Sequence, residues 1–425
     1  MVRPLILFLV TGSALAADPV LPHYARAKSL GVASCASSLC HGSVEAWKSS
    51  RVQQNEYVIW SRRDPHGRSY ATLSGERAAD IVRRLGLKQP ATEAAACLDC
   101  HVHNVPPERR MRGFALSDGI SCEACHGPAE RWLASHTQPG AKRPANHARG
   151  MYPISDNMAR ARLCLSCHLG NAQKLVTHRM MAAGHPRMSF EMDTFSQILP
   201  PHYPPRSDGV RMWALGQALA AEELLALLTD AKRGRDGLFP ELVLFDCHAC
   251  HHPMSDKRYA GARTGVSPGA VRLNDSYLLM VRHIARRVDA AAGEALAREI
   301  PRLHAALAGG DDALARARAV QATIQELLPK IAAYRFSTED LRAVLLALID
   351  DGLAGHYSDY QGAEQAAMAV QALADLMSRR GLLGLADIKP AISRLMAAVD
   401  NDEKYAAPGF VRALRELRGD IENSR

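Results

Sequence analysis

Five times along this chain a closely spaced pair of cysteines is followed at once by histidine. The segments are CASSLCH (Cys35, Cys40, His41), CLDCH (Cys97, Cys100, His101), CEACH (Cys122, Cys125, His126), CLSCH (Cys164, Cys167, His168) and CHACH (Cys247, Cys250, His251). Together they use all 10 cysteines, and histidine is only 18 of 425 residues. Five such neighbours by chance is an event on the order of one in ten million. Four of the segments have the C-x-x-C-H spacing of covalent c-type haem attachment. Two intervening residues put both sulfurs on one side of a single turn, where they add across the haem vinyl groups, and the next histidine points under the ring as proximal iron ligand. In the first segment the gap is four residues, but the closing Cys-His unit is intact, so it is read as a fifth attachment site.

Competing chemistries fit less well. Zinc does not require a histidine after each cysteine pair. Disulfides suit an exported protein, yet four tight C-x-x-C pairs would close only tiny loops. A redox-active C-x-x-C accounts for one pair, not five. Five haems also explain why aromatics are only 5% of so long a chain: cofactor, not side chains, fills part of the interior. The formal net charge of +8 points at first to nucleic acid. There is no dense Lys/Arg run with interleaved aromatics, however, and each oxidised haem with its two propionates brings roughly −1. The loaded chain is then near neutrality, and nucleic acid is not an expected partner.

Thirteen histidines remain after the proximal five. A second histidine on each iron stabilises Fe(III) and blocks small molecules, as a low-potential carrier needs. The candidates are His66 (WSRRDPHGRSY), His136, His178 and His185 (THRMMAAGHPRMSF) and His202 (LPPHYPP), with His103 and His147 as further possibilities. His248 lies inside an attachment loop and His252 abuts a proximal ligand, so neither is favoured. His283, His304 and His356 are read as ordinary helix histidines. Methionine is the alternative axial ligand, but Met180, Met181, Met188 and Met192 are read as packing on a haem face.

At these residues the chain resembles the cytochrome c554 family of tetrahaem electron carriers. The resemblance rests on a first haem motif, then Trp60 and His66, then CLDCH, then GISCEACHGP with His136 ten residues after its Cys-His, and finally CLSCH. It covers roughly residues 30–170. It implies that His136 caps the haem of His41 and that His66 caps the haem of His168. It also implies one five-coordinate haem, at His101, unless His103, His178 or His185 closes that site here. The fifth motif and the long C-terminal half depart from the family pattern.

The first residues read as an address. Arg3 precedes an apolar stretch, Leu5–Val10 continuing to Leu15, and Ala14-Leu15-Ala16 is an A-x-A cleavage site. The expectation is a periplasmic protein, cut after Ala16, with no membrane-spanning segment afterwards. Residues 17–270 hold every haem motif and are expected to form short helices and loops wound around porphyrins. They also contain a proline-rich bend at Pro200–Asp208 and a helix at Val210–Arg233.

Residues 271–425 lack cysteine and are rich in Ala, Leu and Arg. Periodic apolar runs over 275–307, 312–333, 360–380 and 408–420 predict a helical bundle. Ser337 to Asp340 should cap a further helix, whose apolar face is Leu341, Val344, Leu345, Leu348 and Ile349, with Gly352 just past its end. The fold class expected is thus mainly α with little or no β. The function expected is a pentahaem cytochrome passing electrons among periplasmic redox proteins or inner-membrane quinone-linked complexes. The alternative is a multihaem oxidoreductase acting on a small nitrogen or sulfur species at one open iron. A helical half that serves as a structural cap or as a partner-docking surface fits either.

Overall fold

The computed structural model describes residues 18–50, 52–202, 209–237, 239–251, 264–266, 270–309 and 312–423. The expected cleavage segment, most of the 200–208 bend and His252 lie outside them. The described chain is mainly α. Its one strand pair is the two-residue ladder Arg235–Asp236 against Phe239–Pro240.

In the N-terminal half, helices are short and separated by loops. Three attachment motifs close such helices: Ala95–His101, Cys122–His126 and Asn157–His168. The sequence therefore spends each helix on presenting two thiols one turn apart and then one imidazole. Side-chain cores here are small. Leu73, Ala78, Ala91, Leu98 and Val102 form one, and Tyr152, Ala159 and Leu163 another.

From residue 209 onward the character changes to long packed helices. Gly209–Thr229 is apolar nearly all round and almost wholly buried. It is enclosed by Ala313–Ala333, Ser276–Val288 and the motif-bearing helix Asn157–His168, so no face is left for solvent. The helix Thr338–Leu353 begins with a reciprocal capping box between Ser337 and Asp340. Its apolar stripe of Leu341, Val344, Leu345, Leu348 and Ile349 is completely or almost completely buried.

Several boundaries differ from the sequence reading, each for a local reason. The run 275–307 is two helices, Ser276–Val288 and Ala290–Leu307, because extended Asp289 caps the second by accepting from the Ala292 N–H. The helix predicted to Arg233 stops at Thr229, and the Asp230 carboxylate then takes the N–H groups of Lys232 and Arg233. Gly352 lies inside its helix rather than after it. A Cβ there would sit 2.1 Å from Leu414 Cδ1, so this glycine admits a neighbouring helix. Gly355, at φ +80°, follows the helix end. The helix Leu385–Ala397, with Pro390 inside it, had not been anticipated. Among the described residues no helix is long and apolar enough to cross a membrane.

Candidate haem-binding site

The first four motifs open on one continuous cavity of about 2070 Å³. An ordinary small-molecule pocket holds roughly 300–1,000 Å³, so this space is built for several large groups. Its walls include Cys35, Cys40, Cys97, Cys100, Cys122, Cys125, Cys164 and Cys167, with His41, His101, His126 and His168. No cysteine is in a disulfide. Thiols of different motifs touch: Cys35 with Cys122, and Cys100 with Cys167. Cys125 lies close to Cys164 and Cys167. The attachment sites therefore run in space as first, third, fourth, second. Among the described residues, no group of three or more His, Cys, Asp and Glu is arranged to hold a bare metal ion.

The C-x4-C loop reaches the same end as the shorter ones. In the fifth motif the His251 N–H donates to the Cys247 carbonyl at 2.8 Å; in the first, the His41 N–H donates to the Cys35 carbonyl at 3.1 Å. The two extra residues are absorbed in a turn in which Cys40 and Gly42 N–H both bond the Ser37 carbonyl. Gly42 is needed there, since a Cβ would lie 1.9 Å from the Ala36 oxygen.

Four of the five motif histidines meet a second histidine from elsewhere in the chain. His41 and His136 have ring centroids 6.3 Å apart, His66 and His168 6.0 Å, His101 and His185 6.5 Å, and His178 and His251 6.1 Å. For His126 the strongest charged neighbour is His202, which also lines the cavity. Two imidazoles bound through Nε2 to opposite sides of one metal, with bonds of about 2.0–2.1 Å, have centroids roughly 6.3 Å apart. The four measured spacings all lie near that value.

The outer hydrogen bonds favour the same nitrogen. Nδ1 of His41 bonds Glu56 at 2.9 Å, that of His66 bonds Asp64 at 3.0 Å and that of His101 bonds the Ser69 carbonyl at 3.2 Å. Nδ1 of His136 bonds the Leu133 carbonyl at 2.5 Å, that of His185 bonds the Pro186 carbonyl at 2.8 Å and that of His202 bonds the Pro200 carbonyl at 3.4 Å. Occupying Nδ1 fixes the tautomer and leaves Nε2 for a metal. His103 does the reverse. Its Nε2 is engaged by Ser29 Oγ at 2.9 Å, and it packs beside Phe114. His185, not His103 or His178, stands opposite His101.

Electrostatics suit neutral imidazole ligands. Burial lowers His126 and His168 to about 4, so both are uncharged near neutrality and need shed no proton to bind a metal. Glu56, hydrogen-bonded to His41, raises that imidazole above its usual range. Burial alone would raise Asp64, but its hydrogen bonds with His66 outweigh that and hold it below the ordinary carboxylate range.

The fifth motif lies apart from the shared cavity. Cys247–Ala249 is a single 3-10 turn capped by Asp246, and Cys250 is exposed. His178 reaches it from the start of helix His178–Ala182, with its N–H held by Glu241 Oε1 at 2.8 Å. His248 packs on Tyr360 instead of facing a motif histidine. Met180 and Met188 line the large cavity, as does His147.

Some residues carry roles that sequence reasoning had not assigned. Glu123, between the cysteines of the third motif, is buried and accepts the backbone N–H groups of Leu30, Gly31 and Ala129. It ties the N-terminal segment to that attachment helix; its place inside CEACH was the only cue. His283 and His356 flank one carboxylate, Asp351, and His304 pairs with Asp275. His283 and His304 are helix histidines as expected, whereas His356 lies in the loop after helix Thr338–Leu353; all three serve acid pairs of the helical half.

Residues 34–127 match the cytochrome family described as Cytochrome c554 and c-prime. That stretch holds the first three motifs; the last two motifs and the helical half lie beyond it. No curated protein and no solved structure matches the chain.

Proposed function

We propose, from the match of residues 34–127 to the family described as Cytochrome c554 and c-prime, that the whole chain is a five-haem carrier relaying electrons between redox partners. The observation that supports it is the pairing of four motif histidines with a second histidine at centroid spacings of 6.0–6.5 Å, with His202 beside the fifth, His126. Covalently held haem supplies one-electron Fe(III)/Fe(II) chemistry at each such pair.

The chain's own residues do the rest. His41, His101, His126, His168 and His251 are the proximal ligands, and His136, His185, His202, His66 and His178 their respective partners. Cys35, Cys40, Cys97, Cys100, Cys122, Cys125, Cys164, Cys167, Cys247 and Cys250 fix the macrocycles. The contacts between thiols of different motifs bring four sites edge to edge. The fifth is tied to the second by one segment, since His178 and His185 lie seven residues apart in the chain. The order of sites that follows is first, third, fourth, second, fifth. Location in the periplasm, with a leader cut after Ala16, and exchange with periplasmic or quinone-linked redox proteins belong to the same reading.

Small-molecule catalysis is not favoured, since His185 faces the one iron that the family resemblance would leave open. The test is EPR and CO uptake on the purified protein, with its intact mass. Five covalent haems, all low-spin when ferric and slow to bind CO when reduced, are expected. A mass gain of four haems, or a native high-spin haem binding roughly one CO per chain, overturns the relay as stated.

A further inference from the structure

The segment that delivers His185 is held from the helical half. Two residues after His185, the Arg187 guanidinium makes a two-pronged ion pair with Glu364, at 2.8 Å and 3.1 Å. Its Cζ lies 4.8 Å over the Tyr360 ring, and Asp402 approaches its Nε at 3.5 Å. Three residues further on, the Phe190 carbonyl accepts from Gln365 Nε2 at 3.2 Å. Phe190 in turn stacks on His168, with ring centroids 4.4 Å apart. On the same helix, Tyr360–Arg379, the Gln361 side chain reaches Cys247 of the fifth motif. Gln361, Glu364 and Gln365 are spaced i, i+3, i+4, so one helical face touches all three places.

The rest of that segment is lightly held. Its helix His178–Ala182 has five residues, and Gly184 adopts φ +117° just before His185. Among the described residues the imidazole's hydrogen-bond partner is its neighbour's carbonyl, Pro186, at 2.8 Å. A planar, doubly hydrogen-bonded Arg–carboxylate pair fixes direction as well as distance. It is the firmest tie this segment has near His185.

We propose that the Glu364–Arg187 clamp is a positioning device for His185, through which the C-terminal helical half keeps the iron of His101 six-coordinate. This rests on the relay reading above. It assigns the helical half a part in haem ligation. Neither Glu364 nor Arg187 touches the metal; both act through the backbone that carries His185. His178 should be spared, because Glu241 and the Thr177 cap hold it independently.

The experiment uses the full-length, haem-loaded protein with Glu364→Ala and, separately, Arg187→Ala. EPR and CO uptake count high-spin haem, and intact mass checks that haem number is unchanged. Each variant should convert one haem of the set to high spin and raise CO uptake from near zero to roughly one per chain. Glu364→Gln, which keeps hydrogen bonding without charge, should recover much of the low-spin signal. The double variant should be no worse than either single one, since both remove one interaction. Should the alanine variants fail to accumulate, Glu364→Gln and Arg187→Lys carry the test through a partial CO uptake. Fully low-spin, CO-inert variants overturn the proposal, as does loosening spread over several haems. A wild type that already binds CO defeats the relay reading instead.

Discussion

Replacing Asp64 by Asn should raise the reduction potential at one iron and leave the others nearly where they were. Asp64 is 3% exposed and accepts two bonds from His66, one from the backbone N–H at 2.9 Å and one from Nδ1 at 3.0 Å. Asn can keep both geometries through its Oδ1 while removing the charge. Across the imidazole, the carboxylate stands about 7 Å from a metal bound at Nε2. One unit of charge at that distance is worth about 2.4 kcal/mol at an effective dielectric of 20. Oxidation adds one positive charge at the metal, so the carboxylate favours Fe(III), and its loss raises the potential. At 59 mV for each 1.36 kcal/mol, the shift is about 100 mV, or about 50 mV if solvent doubles the screening. The assay is a spectroelectrochemical titration followed by EPR, with the responding signal assigned by its disappearance in His66→Ala. Glu56→Gln at His41 gives an internal comparison. Its bond is as short, 2.9 Å, but its side chain is 17% exposed against 5% for Asp64, so its shift should be smaller. A shift below about 20 mV, or a downward one, would refute the argument that this carboxylate acts through His66.

Two further outcomes concern stability. Leu345 is fully buried, so Leu345→Ala should cost about 2–5 kcal/mol; denaturant unfolding followed by far-ultraviolet CD should show this, with the low-spin haem spectrum of the folded protein unchanged. Burial pushes Glu191 up to about 7, opposed by hydrogen bonds from Thr194 and Asp193. A carboxyl whose folded value lies above its unfolded one stabilises the protonated fold, so stability should fall as pH rises from about 4.5 to about 7, by roughly 3 kcal/mol. Glu191→Gln should flatten that slope in denaturant midpoints taken across the range; an unchanged slope would count against it.

The five cysteine–histidine motifs could be picked out because each is written in five to seven contiguous residues. The Ser337–Asp340 cap and its apolar stripe were legible for the same reason: helical neighbours are near in sequence. The partners of the motif histidines are a different kind of information. His185 and His101 are 84 positions apart and His103 is two away, so sequence left the choice among His103, His178 and His185 open. What separates them is which ring nitrogen is already engaged, Nε2 on Ser29 for His103 and Nδ1 on Pro186 for His185. That depends on a fold, not on composition. The same holds for Gly352, whose place in the chain looked like a helix end but whose missing Cβ admits Leu414. His283 and His304 carried no mark of their acid partners, since Asp351 and Asp275 reach them only across packed helices.

The uneven distribution of side-chain core has a consequence for how such a chain comes into being. Beyond residue 209, helices bury Leu, Ile and Ala mostly against one another, and only Ala161, Leu165, Leu175, Phe190 and Met192 of the earlier half join that buried core. Before it, the largest apolar clusters confined to that half hold five and three residues around a space of some 2070 Å³. Polypeptide alone cannot offset its conformational entropy there; cofactor attachment supplies folding energy, as metal binding does for small metal-dependent domains. The two halves are thus made on different terms. Under haem scarcity the helical body should still form, while the segment joined to it should stay open to proteases and to wrong thiol pairing. On that reading haem supply would set the shape of this molecule as well as its redox capacity.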